Sequence, residues 1–411
     1  YTDVKDSVTA LTGANKSLAT GKKVEISDTT VSADNYDTIV TSVGGSGEVK
    51  GKVVDDIANL IDGHDLKGAT DVIANVTADN QDISALTLDS EIKKIDLMGK
   101  KGVIFNIANV RTGGVNKTIQ DTTTGGTYKY KDTGSALSAD AATIALIKNQ
   151  TVVVSDKVDM DTLKEISDSA TTAKTTATLL EDTATKLKDN KTLIAGTSGA
   201  KTVTLSSGTA TAAVFDEILT EVKKTSGTFK AAVVDSVTGL TESGKDLTGA
   251  TSVTVRVTKA LRDLTGVTFD SEVTKIDLAD TAATKFSMAQ LEGHPLNYIG
   301  DSGSAGYHLI EDSYSDIVKN SSTIAWAKTT NRNKGLIVTD EIDTTKLADL
   351  KSKIGINMIR FDIQKIKDTP KNLIDNKSDI TTNAAITIDD ASSIANTTQI
   401  NELQKVSTSV T

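Results

Sequence analysis

A short motif recurs seven times along the 411-residue chain and constrains its fold more than any other feature. Each copy has two or three mostly apolar or alternating residues, then Asp, then usually Ser or Thr, and an apolar residue five positions after the Asp. The motif aspartates are Asp6, Asp55, Asp132, Asp182, Asp235, Asp312 and Asp368. The apolar residues that follow them are Leu11, Leu60, Leu137, Leu187, Leu240, Ile317 and Leu373, and we expect these to fold back into the core. Such recurrence is typical of repeat proteins, in which each unit packs on its neighbours.

The spacing of the motif aspartates itself repeats. The gaps between them are 49, 77, 50, 53, 77 and 56 residues, so the order short, long, short occurs twice. Residues 66–97 align without a gap with residues 247–278 at an offset of 181, with 16 identities in 32. We interpret this as a tandem duplication followed by part of a third copy, which divides the chain into 1–175, 176–360 and 361–411.

A finer period lies between the motifs. Nine further runs rich in Val, Ile and Thr read as strands, namely 24–28, 72–77, 95–97, 152–156, 203–206, 253–258, 276–278, 336–340 and 386–390. With the seven motifs they give sixteen strands, or one per about 25 residues, a spacing that suits solenoids. Apolar residues at helical spacing predict helices at 159–166, 209–222 and 344–354. The sequence therefore predicts an α/β repeat: an elongated solenoid of about sixteen coils, mostly with one short parallel strand plus a short helix or turn per coil.

Two interpretations of the repeated Asp stay open. Its side chain can accept a hydrogen bond from an amide two or three residues on, so we expect it to cap the turn or helix that follows each strand. The alternative is a ladder of calcium ligands, although calcium needs several converging oxygens and the glycine-rich nonapeptide of calcium-binding β-rolls is absent. Weak calcium candidates are Asp159 and Asp161, and Asp389 with Asp390. No other cofactor is predicted.

Composition argues against several other classes. The chain has no Cys, which excludes disulfides, thiolate metal sites and a cysteine nucleophile, and its three His lie far apart. No apolar run approaches the roughly 18–20 residues of a membrane helix, so no membrane span is expected. The 55 acidic and 45 basic residues give a net charge of −10 and form no basic stripe, so no nucleic-acid partner is expected.

The motif, together with the run Val-Glu-Ile-Ser-Asp-Thr at 24–29, resembles repeats of very large secreted proteins of Gram-negative bacteria. These are surface-layer and repetitive adhesin-like proteins, and the resemblance covers most of the chain. It implies a cell-surface coat, filament or matrix component, often exported by type I secretion and often calcium-dependent. We therefore expect a non-enzymatic, extracellular structural protein whose partners are copies of itself, with cell-surface polysaccharide as a further partner.

The ends of the sequence carry a further expectation. A motif starts at Val4, the last helix-like run stops shortly before Thr411, and no signal peptide is visible at Tyr1. We expect head-to-tail assembly or continuation into a longer polypeptide, with a removed leader or a C-terminal export signal.

Two other functions stay open. In an adhesin stalk or binding module, the long segments 99–127 and 279–306 would protrude and bind glycan or protein. A polysaccharide-acting enzyme on a β-helix would need acids and aromatics gathered in a groove, and the aromatic residues, 3% of the chain, are scattered.

Overall fold

The structure is a computed structural model with two compact units. It describes residues 2–13, 16–61, 63–241, 244–279, 281, 283–292, 298–303, 306–321, 334–354, 360–380, 384–389, 397–407 and 409–411. The first unit is Tyr1–Ser206 with Glu221–Thr228, and the second is Ser207–Thr220 with Phe229–Thr411. These units do not follow the duplication, and the division into three repeats stays a prediction from sequence.

The first unit combines short parallel strands with short helices. Its strands are β1 (Asp3–Asp6), β2 (Lys23–Ile26), β3 (Glu48–Lys50), β4 (Lys52–Asp56), β5 (Asp71–Asn75), β6 (Lys94–Asp96), β7 (Val103–Phe105), β8 (Arg111–Thr112), β9 (Val115–Asn116), β10 (Thr118–Gln120), β11 (Tyr128–Asp132), β12 (Thr151–Val154), β13 (Thr175–Ala177), β14 (Leu179–Asp182) and β15 (Thr202–Leu205). Its α-helices are α1 (Val8–Thr12), α2 (Ala33–Val43), α3 (Ile107–Val110), α4 (Gly134–Leu137), α5 (Ala141–Leu146), α6 (Met160–Ala170), α7 (Ala184–Asp189) and α8 (Lys191–Gly196). Single 3₁₀ turns lie at Lys16–Ala19, Ile57–Asn59 and Thr172–Lys174.

The strands of this unit form separate parallel sheets. Their orders are β1-β2-β3, β10-β6-β5-β4 and β13-β12-β11-β7, and β14 pairs with β15. The hairpin of β8 and β9 is an antiparallel pair. Two elements, α9 (Ala212–Lys223) and β16 (Thr228–Lys230), contain residues of both units.

The second unit repeats the same construction. Its remaining strands are β17 (Ala232–Ser236), β18 (Ser252–Arg256), β19 (Lys275–Asp277), β20 (Thr284–Phe286), β21 (Ile299–Gly300), β22 (His308–Asp312), β23 (Lys334–Ile342), β24 (Arg360–Asp368), β25 (Ala385–Ile388) and β26 (Ser409–Val410). Its helices are α10 (Tyr314–Lys319), α11 (Thr344–Ile354), α12 (Pro370–Asp375) and α13 (Thr397–Gln404), with 3₁₀ turns at Thr238–Leu240, Met288–Gln290 and Lys377–Asp379. The parallel sheets have the orders β17-β18-β19-β21 and β20-β22-β23-β24-β25-β26.

Residues that pair across neighbouring parallel strands are separated in the sequence by about the predicted repeat length. Lys52 pairs with Asp71, one of the shortest separations, and His308 pairs with Lys334, one of the longest. A parallel pair needs a crossover of a dozen or more residues, and the short helices and turns between the strands supply it. The α/β class and the many short parallel strands are thus confirmed.

The apolar residue five positions after each motif Asp lies in the core, as predicted. All seven of these Leu and Ile side chains are at most 1% exposed. Burying such a side chain contributes about 1.5–3 kcal/mol, so the repeated position is a main source of stability. The longer helices bury one face in the same way: Tyr36, Ile39 and Val43 of α2 are buried.

The sixteen predicted strand runs all coincide with strands, but the sequence missed others. The parallel sheets also contain β3, β7, β10, β13, β20, β21 and β26, each of two or three residues. So short a strand shows no alternation, which is why the pattern did not reveal it. Sixteen is therefore too low a count of strands, and the number of coils stays a prediction.

The two long segments are not plain protruding loops, which corrects the expectation for 99–127 and 279–306. The first supplies β7 and β10, which pair in parallel with β11 and β6. The second supplies β20 and β21, which pair with β22 and β19. Both segments therefore hold extra strands of the sheets. Across the described ranges, no helix combines the length and apolar character needed to cross a bilayer.

Candidate functional site

All seven motif aspartates lie at or near the end of a strand and bind the amide that follows. In each, one carboxylate oxygen accepts a hydrogen bond from the N–H of the next residue at 2.7–2.8 Å. The prediction placed the donor two or three residues on, so it was wrong in the position of the amide. The motif Asp therefore stabilises the turn that directly follows its strand.

In five of the seven copies, the Ser or Thr after the motif Asp is the N-cap of the helix that follows. Its hydroxyl accepts the N–H three residues on at 3.1–3.4 Å in six copies, from Ser7, Thr133, Thr183, Ser236, Ser313 and Thr369. The seventh copy has Asp56 at this place, with no side-chain cap bond. Ser and Thr are favoured caps because they satisfy an amide that the helix leaves unpaired. The signal, the Ser/Thr after the Asp, was present in the motif.

The second oxygen of six motif aspartates binds an amide that lies about one repeat period earlier in the sequence. It accepts the N–H of the first residue (position N1) of a helix that precedes it by 22–25 residues. Asp28, Asp156 and Asp340, which end predicted strand runs, make the same kind of bond. We call these contacts N1–Asp bonds. The nine pairs, at 2.5–3.1 Å, are Val8–Asp28, Ala33–Asp55, Ile107–Asp132, Gly134–Asp156, Met160–Asp182, Ala212–Asp235, Met288–Asp312, Tyr314–Asp340 and Thr344–Asp368.

Strand register explains why the nine bonds are alike. In every case the donor and the acceptor each lie two residues beyond a register pair of a parallel bridge. Val31 pairs with Val53, and two residues on, Ala33 donates to Asp55. The other register pairs are Asp6–Ile26, Phe105–Tyr130, Asp132–Val154, Val158–Leu180, Ala210–Val233, Phe286–Ile310, Asp312–Val338 and Ile342–Ile366. The carboxylate thus continues the backbone pairing after the chain has turned into a helix.

The electrostatics of the N1–Asp bonds are favourable. A helix leaves its first amides unpaired and carries a partial positive charge at that end, so a carboxylate there gains from both effects. At Asp368, burial raises the pKa, but hydrogen bonds from the Thr344 hydroxyl, the Asn372 side chain and two backbone amides outweigh it. The pKa of Asp368 is therefore below its usual range, and the anion is the form that the fold holds.

Helix α12 begins with Pro370, which has no N–H to donate, so its first position needs no N1–Asp bond. Its cap, Thr369, still accepts the amide of Asn372 at 3.3 Å. Proline is well suited to N1 because the missing amide would otherwise need a partner.

A second repeated aspartate network shapes the turns after β6 and β19. Asp96 accepts the amides of Met98 and Thr122. Asp277, its counterpart in the duplication, accepts the equivalent amides of Ala279 and Ser302. The following aspartates match as well: Asp121 accepts the amide of Gly126 and Asp301 that of Gly306, both at 2.6 Å. The duplication thus extends into the two long segments.

The weak calcium candidates have protein partners where the structure describes them. Asp159 caps α6 by accepting the Thr162 amide at 2.7 Å. Asp161 pairs with the Lys186 ammonium at 2.5 Å, which raises the pKa of that lysine. Asp389 is 3.5 Å from the Lys367 ammonium, and Asp390 lies outside the described residues. In the part of the chain that the structure covers, no group of three or more His, Asp or Glu is arranged to hold a metal ion.

Comparison with known proteins adds no family. No protein-family model matches the chain, and no curated protein matches it significantly. Function must therefore be argued from the repeated aspartate contacts.

Proposed function

We propose that the protein is a non-enzymatic structural component of a bacterial surface layer, filament or extracellular matrix, built as a stack of solenoid coils in each unit. The observation that carries the proposal is the set of nine N1–Asp bonds. The most strongly repeated polar residue of the sequence is hydrogen-bonded to backbone amides that lie one coil apart. That is the use expected of a residue whose task is to hold neighbouring coils together.

The energetics favour such a mechanical role. A hydrogen bond to a charged group contributes about 1.5–3 kcal/mol, and nine such bonds recur at equivalent places. Ion pairs between neighbouring strands, such as Lys5–Glu25 and Lys94–Asp71, are mostly exposed and contribute at most about 1 kcal/mol each. In stacked repeats the stability accumulates through contacts between neighbours, so the N1–Asp carboxylates, most of them half-buried, matter more than the surface pairs.

The proposed partners are copies of the same chain outside the cell. Parallel sheets have edge strands with unpaired backbone groups, and β1 and β26 each pair with one neighbour among the described strands. Such edges bind further strands readily. Repeat–repeat contacts at these edges would build a lattice or filament, with cell-surface polysaccharide as an attachment partner and calcium as an assembly factor.

Electron microscopy of the purified full-length chain tests the proposal. Samples at rising protein concentration are imaged with calcium and with a chelator. Ordered sheets or fibres in either condition support it. Isolated particles at every concentration, together with a constant mass in light scattering, would contradict it. Asp182→Ala, which removes an N1–Asp bond, is imaged in parallel, and Asp168→Ala, which removes an exposed carboxylate outside the N1–Asp set, serves as its matched control.

A second function, a binding module for glycan or protein, is favoured by one observation. The β8–β9 hairpin turns at Gly113 and Gly114, and its Val115 side chain is 72% exposed. Val115→Asp changes this tip outside the parallel sheets. Loss of polysaccharide binding with assembly intact would favour the binding module over the structural role.

A further inference from the structure

A surface cavity of about 460 Å³ lies in the second unit, between the 265–271 segment and the 3₁₀ turn Met288–Gln290. Of the residues that line it, Tyr298 is 3% exposed, Phe269 is half-buried and Ser271 is exposed. The cavity therefore has an aromatic lining and opens to solvent. Its volume is within the range of about 300–1,000 Å³ that is usual for small-molecule sites.

Hydrogen bonds hold one wall of the cavity in place. The Gln290 Nε2 donates to the backbone carbonyl oxygens of Leu264 at 2.7 Å and Val267 at 2.6 Å. Its Oε1 accepts the Ser287 amide at 2.9 Å, so one side chain joins the 3₁₀ turn to the 265–271 segment. Because this wall is already formed, a ligand would lose little affinity to ordering of the protein.

The polar groups of the cavity favour a ligand that donates hydrogen bonds. The Thr265 hydroxyl donates to Asp263 at 2.8 Å, and the Ser271 hydroxyl donates to Glu272 at 2.9 Å. A hydroxyl that has given its one proton has only lone pairs left, so it can accept but not donate. Among the described lining residues, Asp270 is the one with a charged side chain, so an anionic ligand would find no opposite charge there.

Two aromatic side chains give the cavity an apolar surface. Aromatic residues make up only 3% of the chain, yet Phe269 and Tyr298 line the same cavity. In the other copy of the duplication, the position of Phe269 holds Leu88, which is 8% exposed. The face of an aromatic ring carries partial negative charge and attracts the slightly positive C–H groups of a ring packed on it. An uncharged ring with many hydroxyl groups fits both the aromatic and the polar lining.

We propose that this cavity binds a neutral sugar ring of a polysaccharide. The C–H face of the ring packs on Phe269, and its hydroxyl groups donate to the oxygens of Thr265 and Ser271. The inference deepens the proposed function, because it places the attachment to cell-surface polysaccharide in this cavity, and it rests on that function for its biological use. Sugar binding and assembly are separate properties and are measured separately.

NMR titration of the full-length chain tests the site. The probes are the methyl glycosides of glucose, galactose, mannose and N-acetylglucosamine, with glycerol as a hydroxyl donor that has no ring. We expect saturable binding of at least one glycoside, with shifts centred on the amides of 265–271 and 287–290. Glycerol should cause no comparable shifts.

Two variants that install residues of the other copy form a matched pair. Phe269→Leu installs the residue found at Leu88, removes the aromatic ring and should weaken binding about tenfold. Leu261→Asn installs the residue found at Asn80, at a position that is 77% exposed and outside the described cavity lining. It should leave binding unchanged. Circular dichroism shows whether each variant folds.

Three results would overturn the inference. They are binding by none of the glycosides, an equal response to glycerol, and unchanged binding in folded Phe269→Leu. The wild-type chain alone decides the first two, so a variant that fails to fold leaves the test intact. A wild-type protein that assembles but binds no glycoside refutes the site alone, and one that binds a glycoside but does not assemble refutes the assembly alone.

Discussion

The backbone N–H of Met160 donates to the carboxylate of Asp182 over 3.0 Å, although the two residues are 22 positions apart. Met160 is the first residue of α6, and Asp182 is the last residue of β14. The other oxygen of Asp182 accepts the amide of Thr183, which caps the next helix. The Asp182 side chain, in a residue that is 6% exposed, therefore binds both the first amide of α6 and the amide at the turn that leads into α7.

Replacing Asp182 should cost far more stability than replacing an exposed aspartate. Asp182→Ala leaves the amides of Met160 and Thr183 without this acceptor, so we expect the free energy of unfolding to fall by about 2–4 kcal/mol. Asp168→Ala removes only an exposed pair with Lys164 and should change it by less than about 1 kcal/mol. Urea denaturation measures both. Equal losses in the two variants would contradict the role of Asp182.

Proline at N1 isolates the amide of a single N1–Asp bond. In Val8→Pro the N–H that binds Asp28 is gone, while Ser7 already has the extended backbone that a following proline requires. We expect Val8→Pro to be less stable than Val8→Ala by about 1 kcal/mol, because both lose the valine side chain but only the first loses the donor. The comparison uses urea unfolding, and a proline variant as stable as the alanine variant would speak against the bond.

The core and the strand positions could be read from the sequence, but the long-range contacts could not. Leu187 was placed in the core because its spacing from Asp182 is local and repeated. The bond from Asp182 to Met160 was missed because it depends on strand register, which a one-dimensional pattern does not contain. Strands such as β7 were missed because three residues carry no period.

Asp140 should titrate with an unusually low pKa. The Arg111 guanidinium binds both of its carboxylate oxygens at 2.7–2.8 Å, and with the Thr143 amide and hydroxyl it lowers the pKa of Asp140 to about 2. Because the folded-state pKa is below the usual carboxyl value of about 3.9, the pair stabilises the fold above that pH, and the benefit is lost as pH falls toward about 2.

Carboxyl-carbon NMR measures that titration directly. Arg111→Gln should raise the pKa of Asp140 toward its ordinary range. Asp140→Asn, which can still cap α5, should be less stable than wild type near neutral pH, and the difference should vanish at acidic pH. A wild-type Asp140 with an ordinary pKa would refute the contact with Arg111.

Lys201 should make the fold more stable at alkaline pH. Its side chain is 1% exposed and donates to the carbonyls of Thr197 and Gly199, and burial lowers its pKa to about 8. Between pH 8 and about 10.5 the folded lysine is neutral while the unfolded one is still charged, so the free energy of unfolding should rise with pH by roughly 2–4 kcal/mol. Urea unfolding of wild type and Lys201→Met across this window tests it, since the variant should lack the rise. Parallel curves for the two proteins would exclude Lys201 as its source.

The central claim is that an aspartate at the end of one strand accepts the first amide of a helix 20 or more residues before it, as Asp182 does from Met160. Hydrogen exchange of the Met160 N–H, followed by NMR in wild type and in Asp182→Ala, tests this most directly. We expect slow exchange in wild type and fast exchange in the variant, while the Leu163 N–H, which binds the Asp159 carbonyl, stays slow in both. A Met160 amide that exchanges as fast as one in an unfolded chain, or that is unaffected by loss of Asp182, would contradict it.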